Sequence, residues 1–107
     1  MDGQISIFDY LGRLEIESKT EKEIALEIGE KTNLKFEWDD LVDGYMAYKG
    51  KIQFYVAIET NTTSGIKFIG VGWNTATVGG ASPCNSIDEA TNYLLKVLEK
   101  QKKKKIT

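Results

Sequence analysis

The densest set of groups able to do chemistry is "EWDDLVDG", Glu37 to Gly44, where Glu37, Asp39, Asp40 and Asp43 place four carboxylates within seven positions. Oxygen ligands at that density suit Mg²⁺ or Ca²⁺. The alternating ligands and closing glutamate of a calcium loop are missing, and an acidic surface loop beside a half-buried Trp38 accounts for the same residues, so no metal is expected. A third use is an interface. Trp38 and Leu41 set among carboxylates suit contact with a protein, especially a basic, nucleic-acid-binding one. The remaining inventory is thin. The chain has no histidine, which removes Ser-His-Asp and Cys-His arrangements and imidazole metal sites. The single cysteine, Cys84, stands just before a helix start, where a thiol can be activated. No histidine is available as its base, and Pro83-Cys84 reads as a packing turn around a small buried thiol. "GVGWNTATVGG" lacks the Gly-Lys-Ser/Thr ending of a phosphate loop. The expectation is a non-enzymatic protein, without cofactor, that acts by surface contact.

The elements that must position these residues fit in one domain, since 107 residues bury one core and not two. Hydrophobic residues at 41% place the chain among packed globular proteins rather than disordered ones. No apolar run approaches the roughly 20 residues of a membrane helix. No Lys or Arg precedes Arg13, so the basic start of a signal peptide is missing. With a single cysteine as well, a cytoplasmic location is expected. The net charge of −2 conceals a split. Residues 1–48 hold 5 basic and 12 acidic side chains, residues 49–107 hold 9 and 4.

Two helix starts use one device. "TEKE" (Thr20, Glu23) and "SIDE" (Ser86, Glu89) are capping boxes, in which hydroxyl and carboxylate satisfy backbone N–H groups that the helix leaves open. The first helix is predicted to run to about Lys31 and stop near Asn33. The second carries Ile87, Ala90, Leu94, Val97 and Leu98 as an apolar stripe and is predicted to fray into the lysine run. Between them the period changes to two. "KIQFYVAIE" puts Ile52, Phe54, Val56 and Ile58 on one face. "NTTSG" is a turn, "IKFIGVGW" a second strand, and Tyr45–Tyr48 a partner strand turning at Lys49-Gly50. Leu34–Trp38 alternates as well and adds a short strand. "TATVGGASPCN" reads as a loop. The fold class expected is α+β, in the order α-β-β-β-α, with a three- to four-stranded antiparallel sheet and helices on one face. Residues 13–101 form the domain, preceded by an apolar segment 1–12 and followed by a basic tail 102–107.

That order, with short hairpins and a small-residue loop before the last helix, resembles the double-stranded RNA-binding domain over about residues 20–100. The resemblance implies a three-stranded sheet with both helices on one face. It also implies an RNA contact through lysines at the start of the last helix. Here that place reads "NSIDEAT", and Asp88 and Glu89 would repel phosphate. A nucleic-acid function would instead use Lys49, Lys51, Lys67, Lys100 and the tail Lys102, Lys103, Lys104 and Lys105, with Tyr48 and Tyr55 as stacking surfaces.

At the N-terminus "QISIF" resembles the peptide by which many proteins bind the bacterial sliding clamp, Q-L-S/D-L-F. Gln4, Ser6 and Phe8 match, and Ile5 and Ile7 replace leucines. The resemblance implies that Gln4 enters a polar subsite while Ile7 and Phe8 fill an apolar pocket. The other reading is an N-terminal strand docked on the sheet edge. The chain as a whole is similar in style to small accessory proteins of phages and mobile elements, including inhibitors of host defence nucleases such as anti-CRISPR proteins. Under that reading the partner-binding residues are Glu37, Trp38, Asp39, Asp40 and Asp43.

Overall fold

A computed structural model of the chain describes the backbone of residues 7–106 and the side chains of residues 13–102. Three helices, α1 (Ile7–Ser18), α2 (Glu21–Thr32) and α3 (Ile87–Ile106), accompany five strands, β1 (Glu37–Asp39), β2 (Gly44–Lys49), β3 (Ile52–Thr60), β4 (Lys67–Asn74) and β5 (Gly79–Cys84). The strands form one antiparallel meander in the order β1-β2-β3-β4-β5. The class is α+β, with five strands rather than three or four.

Local chemistry sets the element ends. The Thr20 Oγ1 accepts the Glu23 N–H at 3.1 Å and the Glu23 carboxylate accepts the Thr20 N–H at 2.8 Å, so both halves of the capping box are made. At the other end of α2, Asn33 takes the left-handed conformation at φ 59° and its N–H returns to the Gly29 carbonyl. Gly29 is fixed by space. A Cβ there would stand 2.5 Å from the Leu34 carbonyl oxygen, which is backbone and cannot swing away. Ser86 caps α3 by accepting the Glu89 N–H at 3.1 Å. The β3–β4 turn is built by Asn61, whose Oδ1 accepts from Thr63 and Ser64 N–H.

Alternation along the strands divides the sheet into two faces. Ala47, Phe54, Val56, Ile69 and Val71 point into a core that Ile16 of α1, Ile24 and Ile28 of α2, and Ile87 and Leu94 of α3 complete. The opposite face carries Tyr48, Gln53, Tyr55, Glu59 and Phe68. Ties between elements are polar as well. Glu15 of α1 accepts the Ile87 N–H at 2.9 Å, filling an open donor at the start of α3. Glu21 of α2 accepts the Ile58 N–H at 2.7 Å.

Three expectations are corrected. Residues from Ile7 onward form a helix, not an edge strand, because Ile7, Leu11 and Leu14 recur at helical spacing and Ile16 is buried at 2% exposure. Gln4 lies outside the described residues. "TATVGGASPCN" is not one loop. The Thr75 Oγ1 accepts from Thr77 and Val78 N–H, which closes a tight turn and lets Gly79–Cys84 pair with β4. The backbone of α3 continues through the lysine run to Ile106 instead of fraying within it.

Two stability predictions arise here. Thr91 Oγ1 is the one buried side-chain oxygen or nitrogen among the described residues that lacks a hydrogen-bond partner. A buried hydroxyl without a partner costs more than the methyl that could replace it. Thr91→Val is expected to raise the unfolding free energy by about 1 kcal/mol, read by urea titration; a loss of stability would refute the assignment. The second concerns a chain of ion pairs. Lys19 bonds Glu27 at 2.7 Å, and Lys31 reaches Glu27 at 3.5 Å and Asp88 of α3 at 3.3 Å. The Lys19 ammonium, first by its hydrogen bond, holds the Glu27 carboxyl below the usual carboxylate range. A carboxyl lowered in the folded state stabilises above its ordinary range and loses that contribution as pH falls through its folded value. Glu27→Gln is therefore expected to flatten the acid limb of a stability–pH curve by under about 1 kcal/mol, since the pair is partly solvated.

Candidate functional site

The acidic segment folds as a hairpin tip. Strand β1 pairs with β2 through Glu37↔Met46, Trp38↔Tyr45 and Asp39↔Gly44, leaving residues 40–43 to turn. Trp38 lies on the same face as Tyr45 and meets its ring edge-on, centroids 5.3 Å apart. It is exposed rather than half-buried, at 45%. Its Nε1–H donates to the Asp40 carboxylate. The Asp39 carboxylate accepts the Leu41 N–H at 2.9 Å, the local bond that favours Asp in turns. Asp43 holds the left-handed conformation, φ 53°. Gly44 lies under the Tyr55 ring, and a Cβ there would come 2.5 Å from Cε2. That close approach lets Tyr55 brace the tip, its hydroxyl reaching the Val42 carbonyl at 3.4 Å.

The tip presents Leu41 at 97% exposure, and Val42 and Trp38 of the same hairpin are exposed as well. An apolar side chain held fully in water by a turn tied with its own hydrogen bonds is suited to meet another surface. Glu37 and Asp40 are exposed and Asp39 is partly shielded. Among the described residues no three Asp, Glu or Cys side chains converge as metal ligands would. Sequence reading missed Val42 and the bracing by Tyr45 and Tyr55. The apolar pair inside "DDLVDG" was the available signal.

The same end of the sheet is acidic beyond the tip. Burial first, then the carboxylates of Glu59, Glu21 and Asp43, push the Tyr55 phenol above its usual range. The basic residues divide. Lys49 and Lys51 flank the β2–β3 turn at the far end of β2, and Lys49 shares a cleft of about 500 Å³ with Lys102 of α3. Gly50, Ile52, Leu98 and Gln101 line it, with Glu99 alongside. Lys100 and Lys96 border a neighbouring cleft of about 520 Å³ that also contains Gln101, Trp73 and Tyr93. Lys67 does not join them. It pairs with Thr60, whereas Lys49 pairs with Ile52, so about 26 Å of strand separates the two at ~3.3 Å per residue. Lys103, Lys104 and Lys105 belong to the last turns of α3. At the start of α3, Asp88 is 84% exposed and pairs with Lys31, and Glu89 is exposed beside it. Ile7 and Phe8 lie in the first turn of α1.

Cys84 is 1% exposed at the end of β5. Burial, reinforced by the Glu89 charge, pushes its thiol up to about 11. A thiol so placed is inert as a nucleophile near neutrality.

Fold and site together define a small α+β domain with a five-stranded meander, an acidic apolar tip and a basic end. No family model, curated protein or solved structure matches the chain. No described helix is long and apolar enough to cross a membrane.

Proposed function

We propose that the protein acts by binding another protein through the β1–β2 tip, with Leu41, Trp38 and Val42 as apolar contacts and Glu37, Asp39, Asp40 and Asp43 as the charged surround. One observation carries this reading: Leu41 stands 97% exposed on a turn fixed by hydrogen bonds from within the hairpin. Such pre-ordering lowers the entropy lost on docking. The carboxylates favour a basic partner and repel nucleic acid. The partner class proposed is a nucleic-acid-binding protein, which makes the chain an inhibitor or accessory protein of the kind phages and mobile elements encode, acting in the cytoplasm.

Affinity capture from cells of the source organism tests this. Full-length bait, bait lacking residues 1–10, and D39K/D40K/D43K are compared at low and high salt. A basic protein retained by the first two baits and lost with the third is expected. Retention that is indifferent to charge reversal refutes the reading, and loss on removing residues 1–10 alone transfers it to the clamp-type peptide at Gln4, Ile7 and Phe8.

The grouping of Lys49, Lys51 and Lys102 at one end favours a second reading, nucleic-acid binding by that surface. Anisotropy titration at two salt concentrations separates the two, since phosphate contacts give a steep salt slope.

A further inference from the structure

The acidic tip and the basic cleft lie at opposite ends of β2. The tip turns just before Gly44 and the cleft begins at Lys49, a distance of about 17 Å along the strand at ~3.3 Å per residue. A tip therefore cannot enter the cleft of its own chain. The two surfaces are nonetheless complementary. The cleft is lined by apolar Ile52 and Leu98 and by two cations, Lys49 and Lys102, against one carboxylate, Glu99. The tip has an apolar knob, Leu41, between the carboxylates of Asp40 and Asp43.

We propose that the cleft between α3 and the β2–β3 turn receives the β1–β2 tip of a second copy of this chain. Leu41 of one copy covers Ile52 and Leu98 of the next, and the tip aspartates face Lys49 and Lys102. The contact joins two different surfaces, so it leaves a free tip at one end and a free cleft at the other. Assembly continues head to tail, closing into a ring only if the rotation per copy permits. The association is salt-sensitive, because charges on exposed rims are screened beyond about 10 Å at 0.1 M salt. The proposal rests on the tip being a docking surface and adds its partner in the absence of other proteins.

Sedimentation velocity over a concentration series, at about 0.05 M and about 0.5 M salt on either side of that screening condition, tests it on the full chain. The average mass is expected to rise with concentration at low salt and return toward the monomer at high salt. Leu41→Ser and K49E/K102E are each expected to weaken association roughly tenfold or more. The decisive arm is a charge exchange. D39K/D40K/D43K gives a basic tip with a basic cleft, and K49E/K102E an acidic tip with an acidic cleft. Each is expected to be monomeric alone, with circular dichroism matching the parent, and their mixture to assemble. A wild-type chain that stays monomeric throughout, or a mixture that does not assemble, overturns the proposal. So does high mass that appears only with an added oligonucleotide and disappears in K49E/K102E, which would give the cleft to nucleic acid. K49E/K102E keeps its tip intact, so capture of a foreign partner by that variant separates failure of self-assembly from failure of the tip as a docking surface.

Discussion

Phe54→Ala should remove about 3–5 kcal/mol of stability, the range for truncating a large aromatic in a close-packed core. Phe54 has no exposure and sits at the centre of the sheet, opposite Ala47 on β2 and Trp73 on β4. Its ring faces the helices with Val56 and Ile69. Nothing nearby can collapse to fill the space, because the neighbouring strands hold it from both sides and Ala47 is already small. A domain of this size has only about 5–15 kcal/mol in total. The variant is thus expected to sit near its unfolding midpoint on warming, with a urea midpoint far below that of the parent. A loss under about 1 kcal/mol, half the common effect of a core truncation or less, would mean that the sheet and helices do not share the core described above.

Leu41→Ser should do the reverse: leave stability unchanged and abolish most binding. The side chain touches water on nearly every side, so its removal is expected to shift the unfolding free energy by less than about 0.5 kcal/mol. If it is the central apolar contact of a complex, the same change costs about 2 kcal/mol or more of affinity, near a thirtyfold rise in Kd. Calorimetry of folding and titration against the captured partner give both numbers. Unchanged affinity would remove Leu41 from the interface. The contrast is diagnostic, since a core residue moves both readouts and a bystander moves neither.

The parts of this architecture that could be read from the chain are those where one local signal dominates. Thr20 with Glu23 and Ser86 with Glu89 mark helix starts by a bond between neighbours, and both helices begin beside those caps. The alternation of Ile52, Phe54 and Val56 reappears as buried positions on one face. The parts missed lacked such a signal. Strand β5 is Gly-Gly-Ala-Ser-Pro-Cys, with five of its six residues left partly or fully in solvent. Its place depends on hydrogen bonds to β4 and on the Thr75 turn rather than on its own side chains. Helix α1 carries Gly12 and apolar residues that read equally as a strand when only Ile5 and Ile7 are weighed. The site divides in the same way. Acidic and aromatic character around Trp38 is compositional and therefore visible. The separation of Lys67 from Lys49 follows from strand register, and the meeting of Ile52 with Leu98 from tertiary packing. Neither is encoded in any short window.

The lone thiol of the molecule offers a clock. Cys84 lies where β5 hands over to the last helix, shut away from solvent and in its protonated form near neutrality. A small disulfide reagent can meet it only when that junction opens, so the rate of colour development measures how often the native chain breathes there. With opening and closing fast relative to the reagent, the ratio of that rate to the rate in denaturant yields the opening free energy directly. Rapid modification of the intact fold would place the sulfur outside the core. A slow rate that Phe54→Ala accelerates would tie the centre of the sheet and its β5 edge into one cooperative unit.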